Sequence, residues 1–209
     1  MNIICIGDSL TFGYGVGQEN SWVSLLNDDK NKFINKGVNG DTSTGILSRI
    51  YEILKSSDSK ICLIMCGSND ILMNKSIDSI IDNIRLMTDD CNSLNIKPII
   101  LSPPKIYSDL AIKRWDSSID YEKCNSKLEN YSKELDLFCE KNNLLFIDLN
   151  SNLPFEPLNY TDGLHLSIKG NILVSNLVKM SLKNYLLFYT FEIFKISIKQ
   201  IFLCSYNIV

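Results

Sequence analysis

A chain of 209 residues, 45% hydrophobic, 10% aromatic and 22% charged, has enough apolar content for one sizeable core and is short for two. The composition excludes a disordered chain, and a formal net charge of -3 supplies no basic stripe for nucleic acid. Seven cysteines, an odd number with no Cys-x-x-Cys, lie partly in apolar runs such as Ile3-Ile4-Cys5-Ile6. They read as buried thiols of a reducing compartment rather than as disulfides or a zinc site, so no metal is expected.

Met1 to Gly7 has no basic n-region, and its apolar run is too short for a signal peptide, so the chain reads as cytoplasmic. Ile3 to Ile6 predicts a first strand, which runs into Gly7-Asp8-Ser9-Leu10-Thr11. Ser21 is a plausible cap for a helix carrying Trp22, Val23, Leu25 and Leu26. Lys32 to Asn35 predicts a short second strand ahead of Gly37-Val38-Asn39-Gly40-Asp41-Thr42-Ser43. Thr42 or Ser43 can cap a helix with Ile46, Leu47, Ile50, Ile53 and Leu54 at helical spacing. Ile61 to Met65 predicts a third strand, followed by Gly67-Ser68-Asn69-Asp70. Ile77, Ile80, Ile81, Ile84 and Met87 mark the next helix, with Asp78 and Asp82 on its wet side. Ile96 to Leu101 predicts a fourth strand, stopped by Pro103-Pro104. A long connection over 103–118 precedes a largely helical stretch, 119–142, and a fifth strand from Leu144 to Leu149. Ser167 can cap a last helix from about Ile168 to Lys183.

Short, wholly apolar strands separated by helices indicate a parallel sheet covered on both faces. With right-handed crossovers this is a three-layer α/β/α sandwich with a five-stranded parallel sheet. Ligands of such sheets bind beyond the carboxyl ends of the strands. Ser9 follows strand one, Asn69 strand three, and Asp162 and His165 strand five, so three segments converge on one edge. The expected layout is one domain over 1–184 and an apolar tail over 185–209. Charged residues interrupt that tail too often for a membrane-spanning helix, which leaves a packing element, a self-association surface for a homo-oligomer, or membrane-surface contact.

The chain has a single histidine, His165, three residues after Asp162. A serine hydroxyl is a poor nucleophile until an imidazole takes its proton. In a turn, the Asp162 carboxylate can accept the Nδ1 proton of His165 and leave Nε2 toward Ser9. Gly40, ahead of a helix start, can present its N–H to an anion, or can simply serve a turn. Asn69 has the neutral, two-hydrogen amide that suits an oxyanion, or can form an Asx turn. Each feature is ordinary alone.

Together and in this order, Gly-Asp-Ser-Leu, Gly40 within Asn-Gly-Asp-Thr-Ser, Gly-x-Asn-Asp and Asp-x-x-His closely resemble the SGNH hydrolase superfamily, the GDSL esterases and lipases. The resemblance spans residues 3 to about 180. It implies the flavodoxin-like SGNH hydrolase fold. It implies catalytic roles for Ser9, Gly40, Asn69, Asp162 and His165, with no cofactor. The segment Gly-Asp-Ser-Leu-Thr-Phe-Gly-Tyr-Gly-Val is most similar to the small bacterial branch with arylesterase, lysophospholipase and thioesterase activity. The implied function is a serine esterase that cleaves a small-molecule carboxylic ester or thioester through an acyl-enzyme. A carbohydrate O-acetylesterase and a catalytically silent binding module on the same fold are the alternatives. An α/β-hydrolase elbow, Gly-x-Ser-x-Gly, fits poorly because Thr11 occupies the fifth position. A flavodoxin-like nucleotide domain lacks its glycine-rich fingerprint after strand one. Tyr14, Trp22, Met73, Tyr107, Trp115, Phe155 and Tyr160 are candidates to rim an acyl pocket or to pack beneath loops, and 103–118 is the candidate specificity loop.

Overall fold

The computed structural model describes residues 1–183. The chain divides into two compact units, Met1–Leu177 and Val178–Val209. The apolar tail expected over 185–209, with Cys204, lies outside the described residues.

Five strands form one parallel sheet: β1 (Asn2–Gly7), β2 (Lys32–Gly37), β3 (Ile61–Met65), β4 (Lys97–Leu101) and β5 (Leu145–Ile147). Their spatial order is β2-β1-β3-β4-β5, the doubly wound order of flavodoxin-like sheets. The chain thus reverses its direction of travel at β1 and β3, and a crevice opens at their carboxyl ends. Pro98 sits early in β4 opposite Cys62, whereas β5 pairs only with Ile99–Leu101. The missing proline N–H therefore costs nothing on the β5 side.

The helices are α1 (Ser9–Phe12), α2 (Trp22–Leu25), α3 (Ser43–Lys55), α4 (Ser68–Leu72), α5 (Ile77–Ser93), α6 (Ser108–Arg114), α7 (Tyr121–Lys141) and α8 (Leu149–Asn152), with residues 168–183 also helical. Side-chain oxygens of Ser21 and Thr42 cap α2 and α3 as expected, and those of Ser76 and Asp120 cap α5 and α7. Helices α4, α5 and α7 each end with an asparagine in the left-handed region, Asn74, Asn95 and Asn143. Behind these residues the N–H groups of Lys75, Ile96 and Leu144 reach back to the carbonyls of Asp70, Cys91 and Cys139, each 2.9 Å. These are Schellman closures with asparagine in the position glycine usually takes.

Alternate strand residues face opposite ways, as the pleat requires. Ile4, Ile6, Cys62, Ile64 and Ile100 join Ile46, Ile50 and Leu54 of α3, Ile80, Ile84 and Met87 of α5, and Leu128, Tyr131 and Leu135 of α7 in one buried cluster. Ile3, Cys5, Phe33, Leu63, Met65, Ile99 and Leu101 point to the other face and are also buried, as are Trp22 and Val23 of α2. Both faces are thus covered, and the site has only the strand ends to occupy. The six cysteines among the described residues are buried and unbridged. No helix among the described residues is long and apolar enough to cross a membrane.

Several elements differ from the sequence expectation: β2 runs on to Gly37, and a short helix, α4, follows Gly67. β5 stops at Ile147, because Asp148 turns away to cap α8 by accepting the Ser151 N–H. The connection 103–118 contains the helix α6.

Candidate active site

β1 delivers Ser9 to the sheet edge through a turn without spare room. A Cβ on Gly7 would lie 2.1 Å from Thr11 Oγ1 and 2.5 Å from the Met65 carbonyl oxygen, so only glycine lets the strand end so close to the turn. Asp8 then caps α1 by accepting the Leu10 N–H at 2.9 Å. Ser9 is the first residue of α1. Its N–H is among the amides that a helix start leaves without an internal acceptor.

The loop after β5 brings the imidazole to this hydroxyl. Ser9 Oγ and His165 Nε2 are 3.0 Å apart, and His165 Nδ1 is 2.7 Å from Asp162 Oδ2. The other Asp162 oxygen accepts the N–H groups of His165 at 2.7 Å and Leu164 at 2.9 Å. One carboxylate thus orients both the ring and the backbone that carries it. Burial opposes ionisation of Asp162, but the His165 ring and the two N–H groups outweigh it and hold the carboxyl below its usual range. An ionised Asp162 makes Nδ1 the protonated nitrogen, so Nε2 accepts the Ser9 hydroxyl proton.

Helix α6 explains how the loop keeps this shape. Gly163 sits at φ 96, and a Cβ there would come within 2.3 Å of the Ala111 nitrogen. Tyr107 N–H donates to the Gly163 carbonyl at 2.8 Å, and Arg114 Nη1 donates to the Thr161 carbonyl at 2.6 Å. The stretch expected to act as a specificity loop is therefore docked on the turn that carries Asp162 and His165.

Gly40 stands in a turn from Val38 to Asp41, closed by the Asp41 N–H donating to the Val38 carbonyl. Its φ of 74 at the third position is the signature of a type II turn. A Cβ there would meet open space, so conformation rather than crowding calls for glycine. Asn69 and Asp70 hold the chain just beyond it. Asn69 Nδ2 donates to the Asp41 carbonyl at 2.8 Å, and Asp70 accepts from both the N–H and the hydroxyl of Ser43. Arg49 adds a clamp, donating to Asp41 Oδ2 and to the carbonyls of Lys36 and Gly7. The ends of β1 and β2 and the Gly40 turn are thereby tied together.

Ser9, Ser68, Asn69 and His165 line a small cleft that is partly open to solvent. Its remaining wall is apolar: Leu10, Leu72, Pro104, Ile106, Trp115 and Leu164. Of the aromatic residues considered for the rim, Trp115 lines this cleft, and Tyr14 lies against His165 with ring centroids 4.4 Å apart. Trp22 does not rim the site: it is buried, and its indole N–H donates to the Leu10 carbonyl beneath the Ser9 turn. Tyr107, Phe155 and Tyr160 pack on one another instead. Met73, just after α4, is exposed.

Asp8 is the electrostatic outlier. Burial pushes its carboxyl up to about 7, against the pull of the Leu10 N–H and of His165. Its Oδ2 is buried with no hydrogen-bond partner. Sequence reasoning passed over Asp8, Arg49 and Asp70. Among the described residues no group of three or more His, Cys, Asp or Glu side chains is arranged to hold a metal ion.

The fold and site define a flavodoxin-like parallel α/β protein with a hydrogen-bonded serine–histidine–aspartate chain at the carboxyl edge of its sheet. Residues 5–172 match the GDSL-like Lipase/Acylhydrolase family, and the chain belongs to it. It is 29% identical over 102 residues to the thioesterase 1/protease 1/lysophospholipase L1 of Escherichia coli K12, covering 47% of this chain and 49% of that protein. It is 32% identical over 120 residues to an arylesterase of Vibrio mimicus, covering 52% of this chain and 60% of that protein. The chain thus spans about half the length of the curated relatives it matches. Its fold is similar to that of a lipolytic G-D-S-L family protein from Veillonella parvula, with a TM-score of 0.75 at 21% identity, covering 86% of this chain and 97% of that one.

Proposed function

We propose that the protein is a serine acylhydrolase that cleaves carboxylic esters or thioesters through a covalent acyl-enzyme. The reading rests above all on the 3.0 Å contact between Ser9 Oγ and the Nε2 atom of an imidazole whose Nδ1 is held by Asp162. Ser9 Oγ attacks the carbonyl carbon while Nε2 takes its proton. The carbonyl π electrons move to oxygen and form a tetrahedral oxyanion. The N–H groups of Ser9 and Gly40 and the Asn69 amide stabilise that oxygen. One Asn69 hydrogen serves the Asp41 carbonyl, which fixes the amide and leaves the second for substrate. Asp162 stabilises the imidazolium without itself taking the proton. Collapse breaks the bond to the leaving alcohol or thiol, which receives the proton from Nε2. A water molecule then attacks the acyl-Ser9 carbonyl, gives its proton to Nε2, and the acid departs as Ser9 is reprotonated.

The mainly apolar wall of the cleft suits an acyl chain, and the relatives named for thioester, lysophospholipid and aryl ester cleavage point the same way. All residues given a role lie inside the unit Met1–Leu177. The test is a hydrolysis panel: nitrophenyl esters of graded acyl length, an acyl thioester, a lysophospholipid and an acetylated sugar, each with Ser9→Ala as control. Turnover of an ester or thioester that vanishes in Ser9→Ala is the expected result. Turnover unchanged in that variant contradicts the proposal.

A further inference from the structure

Tyr14 touches both the Ser9 backbone and the His165 ring. Its N–H and that of Gly13 both donate to the Ser9 carbonyl at 3.0 Å. Gly13 and Gly15 on either side adopt φ of 87 and 83, so the backbone swings left-handed before and after it. This places the Tyr14 ring 4.4 Å from the His165 ring, tilted by 44°. His165 is 7% exposed, yet the tyrosine covering its ring remains 42% exposed. A large ring left nearly half in water against a buried base is a surface available to a ligand.

The route of the substrate says which part would meet it. The cleft that takes the acyl group is lined by Trp115, but Tyr14 lies outside that lining. Trp115 meets the imidazole edge-on at 5.2 Å and so borders the cleft beside His165. The leaving atom must come within about 3 Å of Nε2 to receive its proton. Whatever is bonded to that atom extends past the imidazole, and of the two exposed aromatic rings against that imidazole Tyr14 is the one outside the cleft lining.

We infer that Tyr14 is a specificity residue for the leaving group, its ring receiving the alcohol or thiol portion of the substrate and favouring flat aryl groups over compact alkyl ones. The inference rests on the acyl-transfer reading above and adds to it the side of the substrate that this residue reads. An aromatic contact of this kind changes relative rates by roughly 3- to 10-fold.

The experiment compares kcat/KM for phenyl acetate and ethyl acetate, which share an acyl group and differ only in what departs. The ratio of the two should fall about 3- to 10-fold in Tyr14→Leu and in Tyr14→Met, the second variant being a flexible apolar replacement that fills the same space. Tyr14→Phe, which keeps the ring, should hold the wild-type ratio. A ratio unchanged in the Leu and Met variants, including one in which both rates drop together, overturns the inference and makes Tyr14 a packing residue for His165. Wild-type protein inactive on every ester of the panel overturns the acyl-transfer reading itself and this inference with it.

Discussion

Asp70 accepts two hydrogen bonds from Ser43, one from its N–H and one from its hydroxyl, each 2.8 Å, across 27 positions of sequence. Its carboxylate is fully buried, with the Lys75 ammonium 3.7 Å away. The neighbouring Asn69 holds the Asp41 carbonyl. Two consecutive residues after β3 therefore pin both ends of the short segment that leaves the Gly40 turn and starts α3.

Asp70→Ala strands the Ser43 donors and frees that segment. Stability should fall by about 2–4 kcal/mol, the range for removing a buried charged acceptor. On an aryl ester kcat should drop by up to about 10²-fold, the effect of one misplaced oxyanion donor. Urea unfolding and steady-state kinetics together check this. A variant with wild-type kcat would detach the Asp70–Ser43 pair from catalysis.

Asn69→Ala should cost roughly 2.7–4 kcal/mol of transition-state stabilisation, read as kcat/KM on the same ester. Asp162→Asn should lower kcat about 10⁴-fold, because the ring would no longer be held in the needed tautomer. Asp162, held below its usual range by the His165 ring and two N–H groups, stays ionised at mildly acid pH, so its own protonation should not limit kcat/KM there. His165→Ala with kcat/KM near wild type would remove His165 from the scheme.

Asp8 predicts an opposite pH effect on stability. Its carboxyl is raised to about 7, chiefly by burial, with Asp41 and Asp70 adding to the rise. The folded state therefore holds a proton that the unfolded chain has already lost between about pH 4 and 7. Over that window this group lowers stability as pH increases. Asp8→Asn keeps an acceptor for the Leu10 N–H and removes the titration. The slope of stability across the window should flatten in this variant. Denaturant midpoints at several pH values provide the test, and an unchanged slope would reject it.

Trp115 borders the cleft and is half exposed. Trp115→Ala should extend the space available to the acyl group and move the preferred nitrophenyl ester to longer chains. Each further buried methylene is worth about 0.8 kcal/mol, so the gain is near fourfold in kcat/KM per carbon. An unaltered chain-length optimum would place the acyl group elsewhere.

The sheet was legible because the apolar runs around Ile4, Ile64 and Ile100 are too short for helices and too uniform for a strand with one wet face. The placement of Ser9, Asn69, Asp162 and His165 at one edge followed from strand order. Other features were illegible for physical reasons. Helix α6 spans seven residues and shows too little periodicity to stand out from a loop. Asp148 sits next to Leu149, so an apolar run conceals the helix cap that ends β5. Trp22 read equally well as a rim or as a core residue, because its indole N–H partner, the Leu10 carbonyl, is twelve positions away and leaves no local mark. Asp70 and Arg49 bind across 27 and 42 positions, and nothing in their own neighbourhoods signals those partners.

Nucleophilicity at Ser9 is the central claim, and covalent trapping reads it most directly. Incubation with a fluorophosphonate followed by peptide mass mapping should place one adduct on the peptide containing Ser9, absent in Ser9→Ala and formed far more slowly in His165→Ala. Folded protein that takes no label, or takes it on another residue, would contradict the account.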